Sequence, residues 1–139
     1  MATTATIVKE LIDTGRKIAK RQVQRFPDAA SFGDSVRQGD IYITLLNKLP
    51  KGAKKLKTFT LQLAPGTTQG SRHILDSSEG VTVYVLDNAT EFDGPILKLE
   101  LERTVQHPEH GDYILPPRLY AISYQRTQDA MDRARRVQD

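Results

Sequence analysis

Three histidines are the residues best suited to chemistry in this chain. His107 and His110 bracket a Pro-Glu pair, and His73 lies thirty-four residues earlier in a glycine-containing connection. Neutral imidazole is the commonest metal ligand, and a neighbouring carboxylate can complete a site for zinc, iron or manganese. His73, His107 and His110, with Glu109 as ligand or general base, are therefore candidate ligands for a divalent metal. The run His107-Pro108-Glu109-His110 is not the helical zinc signature, because its spacing is three and Pro108 opposes a helix interior. The competing reading is a Pro-containing turn with surface histidines. Nucleophilic catalysis has little support: Ser71 lies two residues before His73, but no Gly-x-Ser-x-Gly elbow exists. Gly66 and Gly70 do not make a phosphate loop either, since no Lys-Ser/Thr follows.

These residues need elements to position them, and the hydropathy pattern supplies two kinds. Over residues 6–26, Ile7, Val8, Leu11, Ile12, Ile18, Ala19, Val23 and Phe26 recur at three- and four-residue steps, which predicts an amphipathic helix. Thr6 suits its N-cap and Pro27 its stop. Pro27–Gly39 reads as a linker. From Asp40 the period becomes two: Ile41, Ile43, Leu45; Phe59, Leu61, Leu63; Val81, Val83, Val85; Ile96 to Leu101; then Asp112–Leu115 and Leu119–Arg126. Turn signals punctuate these runs, among them Pro50-Lys51-Gly52, Glu79-Gly80 and Asp93-Gly94-Pro95. Short strands at regular spacing predict a mainly β fold of about seven or eight strands. A small antiparallel β-sandwich or jelly-roll-like barrel is expected, carrying an N-terminal amphipathic helix. The expected organisation is a helix and linker over 1–36, a β-domain over 37–126 and a charged C-terminal tail over 127–139.

Composition narrows the classes. The chain of 139 residues is single-domain by length and has no cysteine, so disulfides, thiolate metal sites and cysteine nucleophiles are excluded. No apolar run approaches the ~20 residues of a membrane span and no signal-peptide core follows Met1, so a cytoplasmic protein without membrane contact is expected. The net charge of +3 is unevenly spread. Residues 1–26 carry six Lys/Arg against Glu10 and Asp13, whereas residues 67–103 carry seven acids against Arg72, Lys98 and Arg103. Such polarity suits head-to-tail association of copies, and hence a homo-oligomer. It also suits nucleic acid, for which Lys51, Lys54, Lys55 and Lys57 in a hairpin loop are the candidate phosphate contacts. Single-strand binders add exposed aromatics for stacking, but most tyrosines here fall at strand positions better explained by packing.

The segments Gly66-Thr67-Thr68-Gln69-Gly70-Ser71-Arg72-His73-Ile74, His107-Pro108-Glu109-His110-Gly111-Asp112-Tyr113-Ile114-Leu115-Pro116-Pro117 and Tyr124-Gln125-Arg126 carry a resemblance. With Arg37-Gln38-Gly39-Asp40-Ile41-Tyr42 ahead of them, they resemble a family of small uncharacterised bacterial and phage proteins. Its pattern runs Thr-Gly-His-x-His, His-x-Glu-His, Leu-Pro-x-Gly-x-Tyr and Gln-Arg. The resemblance spans roughly Arg37–Arg126 and implies a shared β-fold and a histidine site. It carries no activity with it. Two positions depart from the pattern: Ser71 stands where the first histidine of the pair belongs, and Arg118 or Leu119 where the glycine belongs. A four-histidine centre would keep three ligands here. That suits an open catalytic metal position or a scaffold whose chemistry is gone.

Three functions are thus expected, in this order. The first is a non-enzymatic structural or interaction protein that self-associates through its helix and tail. The second is a cupin-like metal-binding module or metal-dependent small-molecule enzyme using His73, His107 and His110. The third is a nucleic-acid-binding accessory protein using the basic helix and the lysine loop.

Overall fold

The computed structural model describes residues 22–125. The fold is all β among them, with ten strands in two sheets. The strands are β1 (Val23–Arg25), β2 (Ser35–Gln38), β3 (Ile41–Leu46), β4 (Ala53–Lys55), β5 (Ile74–Leu75), β6 (Val81–Leu86), β7 (Asp93–Leu99), β8 (Arg103–Gln106), β9 (Asp112–Leu115) and β10 (Leu119–Tyr124). One sheet runs β1-β9-β8-β5 and the other β2-β3-β10-β7-β6-β4. Every pairing is antiparallel except β1 with β9.

Both sheets contribute to one core. Ile41, Ile43 and Leu45 alternate with half-buried Tyr42 and Thr44 along β3, as a strand with one face inward must. They meet Tyr120 and Ile122 of β10, Leu97 and Leu99 of β7, and Val105, Tyr113, Leu115 and Leu75 from the other sheet. Phe26 joins them and packs edge-on against Tyr120, ring centroids 5.2 Å apart. Tyr120 Oη donates to the Pro116 carbonyl at 2.7 Å, pinning the Pro116-Pro117 corner where the chain leaves β9 for β10. Burial pushes the Tyr120 hydroxyl up to about 12.

Several expectations change. Of the predicted helix over 6–26, residues 1–21 lie outside the described residues, as does the tail from residue 126. The end of that span is not helical: Val23–Arg25 forms a parallel edge strand on β9, and Phe26 N–H continues the ladder to the Ile114 carbonyl at 2.9 Å. A sheet edge offered these backbone groups partners that helical periodicity could not foresee. The expected linker 27–39 contains β2, so the sheets begin ahead of Arg37. Phe59–Leu63 is not a strand but touches β5 through one bridge, Gln62 with Ile74. Asp93-Gly94-Pro95 is not a turn but the start of β7. Proline is tolerated there because the register with β10 shifts between Ala121 and Ser123, leaving Gly94 and Pro95 opposite the single residue Ile122, and a bulge is where a strand can lack a ladder donor.

Candidate functional site

The two histidine loops meet. The rings of His73 and His107 lie 4.4 Å apart and those of His107 and His110 4.7 Å apart, forming a tilted row from the core to the surface. His73 and His107 are fully buried, whereas His110 is exposed. His73 leads into β5, His107 follows β8, and His110 ends the turn before β9. The β5–β8 pairing (Ile74 with Gln106) is what brings the first two together.

Each buried ring is committed to hydrogen bonds. His107 Nδ1 accepts the backbone N–H groups of Glu109 and His110, both at 3.1 Å. Its proton therefore sits on Nε2, which donates to the Gly70 carbonyl at 3.0 Å. The ring closes its own turn as an Asn or Asp side chain would, then ties that turn to the short 3-10 turn Gln69–Ser71.

Gln38 and Asp40, on either side of Gly39 between β2 and β3, hold His73. The Gln38 amide nitrogen donates to the carbonyls of Val105 (2.9 Å) and Gly111 (2.7 Å). Its oxygen must then be the atom facing His73 Nδ1 at 2.8 Å, and Nδ1 carries hydrogen; amide orientation and tautomer follow from this network. His73 Nε2 faces Asp40 Oδ1 at 2.7 Å. A neutral ring has one proton for these two acceptors, so only the imidazolium completes both bonds. Burial resists that charge and pulls the His73 pKa below the ordinary imidazole value; the Asp40 hydrogen bond pulls the other way, and neighbouring His107 and His110 oppose the charge too.

The Asp40–His73 pair has the contact distance of an acid–base dyad but the opposite burial. In a working dyad the carboxylate is buried and the imidazole turns its second nitrogen to substrate. Here the imidazole is fully buried, its second nitrogen faces Gln38, and the carboxylate side chain is 62% exposed. Gly39 completes the arrangement. Its φ of +58° is glycine territory, and a Cβ there would lie 2.6 Å from His110 Cδ2.

The predicted ligands are thus adjacent, but the ring nitrogens of His73 and His107 are already engaged. Among the described residues no group of three or more His, Cys, Asp or Glu side chains stands in a geometry that could hold a metal ion. The Glu109 side chain is exposed in the turn. Ser71 lies in the 3-10 turn with its Oγ 3.2 Å from Thr68 Oγ1.

The family match coincides with this framework. A family described as a domain of unknown function (DUF8820) matches residues 37–125, from Arg37 within β2 to the residue after β10. The chain belongs to the DUF8820 family. No curated protein and no solved structure matches it.

The predicted phosphate-binding lysines are elsewhere. Lys54 and Lys55 lie on β4, the outer strand of the six-stranded sheet, with Lys51 before it and Lys57 after it. All four are exposed, and Lys54 pairs with Asp87 at 3.1 Å. Charged side chains on an edge strand discourage further strand pairing, which accounts for β4 without a nucleic-acid partner. Among the described residues no helix is long and apolar enough to cross a membrane.

Gln38 and Asp40 are the residues sequence reasoning missed. The signal was faint: Gln38 shares the parity of half-buried Val36 on β2, which turns a polar side chain toward the core.

Proposed function

We propose that this DUF8820 protein is a non-enzymatic structural or interaction protein, an antiparallel β-sandwich that assembles with copies of itself. One observation carries the first half of the reading. The side chains best equipped for catalysis, His73 and His107, spend their ring nitrogens on joining loops. A catalytic imidazole must offer a free nitrogen to substrate or to metal. Buried polar networks with every member partnered serve instead to fix one arrangement of a core. Among the described residues no buried side-chain nitrogen or oxygen lacks a partner.

Self-association is supported by the division of charge along the chain, cationic over residues 1–26 and acidic over residues 67–103. Light scattering on the full chain across a concentration series tests it. The reading expects a mass that is a multiple of 15.6 kDa and falls as salt is raised. A strict monomer at high concentration would overturn it.

A further inference from the structure

A concavity on the outward face of the six-stranded sheet concentrates positive charge. Its volume is about 420 Å³, and Lys48, Lys98 and Arg118 line it with Tyr84, Leu49 and Leu119. Strand register places these side chains. Lys98 stands opposite Leu119 of β10 and Thr82 of β6, while Tyr84 stands opposite Ile96 of β7 and Lys55 of β4. Cross-strand partners share a face, and the alternate residues Val83, Leu97 and Tyr120 fill the core. Leu119, Lys98, Tyr84 and Lys55 therefore all point outward, across four adjacent strands.

The charge there is uncompensated. No aspartate or glutamate lines the concavity, and Glu100, two residues beyond Lys98, stays outside the lining. Among the described residues none of Lys48, Lys55, Lys98 and Arg118 forms an ion pair, whereas Lys54 has Asp87. Like charges gathered around one hollow repel each other and draw in anions.

Aromatic surface accompanies the cations. Tyr84 lines the hollow itself. Phe32 is 57% exposed, and the Arg118 guanidinium lies 5.7 Å from its ring centroid. Cations that track a backbone, beside rings on which bases can stack, are what a sequence-tolerant single-strand binder requires. We propose that this face binds single-stranded nucleic acid, with phosphates at Lys48, Lys98 and Arg118 and bases stacked on Tyr84 and Phe32. Four unpaired cations over four strands exceed the charge of one free nucleotide's phosphate, which favours a strand over a mononucleotide. The inference does not depend on self-association.

Fluorescence anisotropy of a labelled oligothymidylate, titrated with the full-length protein over a salt series, reads both contributions. Lys98→Gln should lower the slope of log affinity against log salt by about 0.7, the value of one phosphate contact on a single strand. Phe32→Ala should weaken binding roughly fivefold or more and leave the slope unchanged. Both side chains are exposed, so both variants should keep the parent's circular dichroism. Lys57→Gln, which removes an exposed lysine outside the concavity, should change neither quantity. A duplex of the same length should bind more weakly, because its bases are already stacked on each other. No binding at low salt, equal effects of Lys98→Gln and Lys57→Gln, or a duplex bound as tightly as the single strand would overturn the inference. Thymidine monophosphate competing as well as the strand, nucleotide for nucleotide, would overturn the choice of a strand. Binding to phosphatidylserine vesicles but not to the oligonucleotide would overturn the inference in favour of a membrane surface.

Discussion

Replacing Gln38 by methionine isolates the contribution of the buried network. The side chain is 1% exposed and makes three hydrogen bonds, donating to Val105 and Gly111 and accepting from His73. Methionine keeps the length and most of the volume, so little cavity forms. What it removes is the partner of two carbonyls and of the Nδ1–H of a fully buried ring. A buried polar group left unsatisfied costs about 1–3 kcal/mol, so three together should cost on the order of 3–6 kcal/mol. That is a large share of the roughly 5–15 kcal/mol that holds a domain folded. Urea unfolding of Gln38→Met, followed by circular dichroism, should show the midpoint falling by about 2 M or more at an m-value near 1.5 kcal/mol/M. Gln106→Met, an exposed glutamine on β8, should stay within about 0.5 kcal/mol of the parent. If Gln38→Met moves the midpoint no further than that control, the network does not hold the site together and the argument fails.

Other outcomes follow from neighbouring residues. Because the folded pKa of His73 is lowered, the folded state binds fewer protons than the unfolded state, whose imidazole titrates near 6.5. Its contribution is present above that value and lost as pH falls through the folded pKa, so stability between pH 7 and 5 should fall less steeply in His73→Gln than in the parent; an unchanged slope contradicts the assignment. Tyr120→Phe deletes the bond to Pro116 in the core and should cost about 1–2 kcal/mol, measured by thermal or urea unfolding. A neutral result there would mean that the corner is fixed by its prolines alone. Gly39→Ala forces a left-handed φ on alanine and pushes a methyl group against His110, so it should cost at least about 1 kcal/mol.

The strand content was legible because β3, β6 and β10 alternate cleanly, and their buried residues are those that period two selects. β1, β4 and β5 were not, because strands of two or three residues carry too few side chains to show a period. β7 was half legible: Gly94-Pro95 is a turn signal, and here the two residues form a bulge within β7 opposite the single residue Ile122 of β10. At the site, residue type pointed to His73, His107 and His110, and the fold does gather them into one row. What spacing could not reveal is that Gln38 and Asp40, more than thirty residues earlier, partner His73, or that His107 accepts hydrogen bonds from its own turn. Those are tertiary and backbone facts, and they separate a ring that supports a loop from one that binds a ligand.

The most direct measurement is the protonation pattern of the imidazole nitrogens, read by 15N NMR on histidine-labelled full-length protein near pH 7, with and without added zinc. The structural reading predicts that His107 is the Nε2–H tautomer with Nδ1 unprotonated, that His73 carries hydrogen on Nδ1, and that neither responds to stoichiometric zinc. Loss of the Nε2 proton of His107, or movement of both buried rings as zinc is added, would contradict it and restore the metal site.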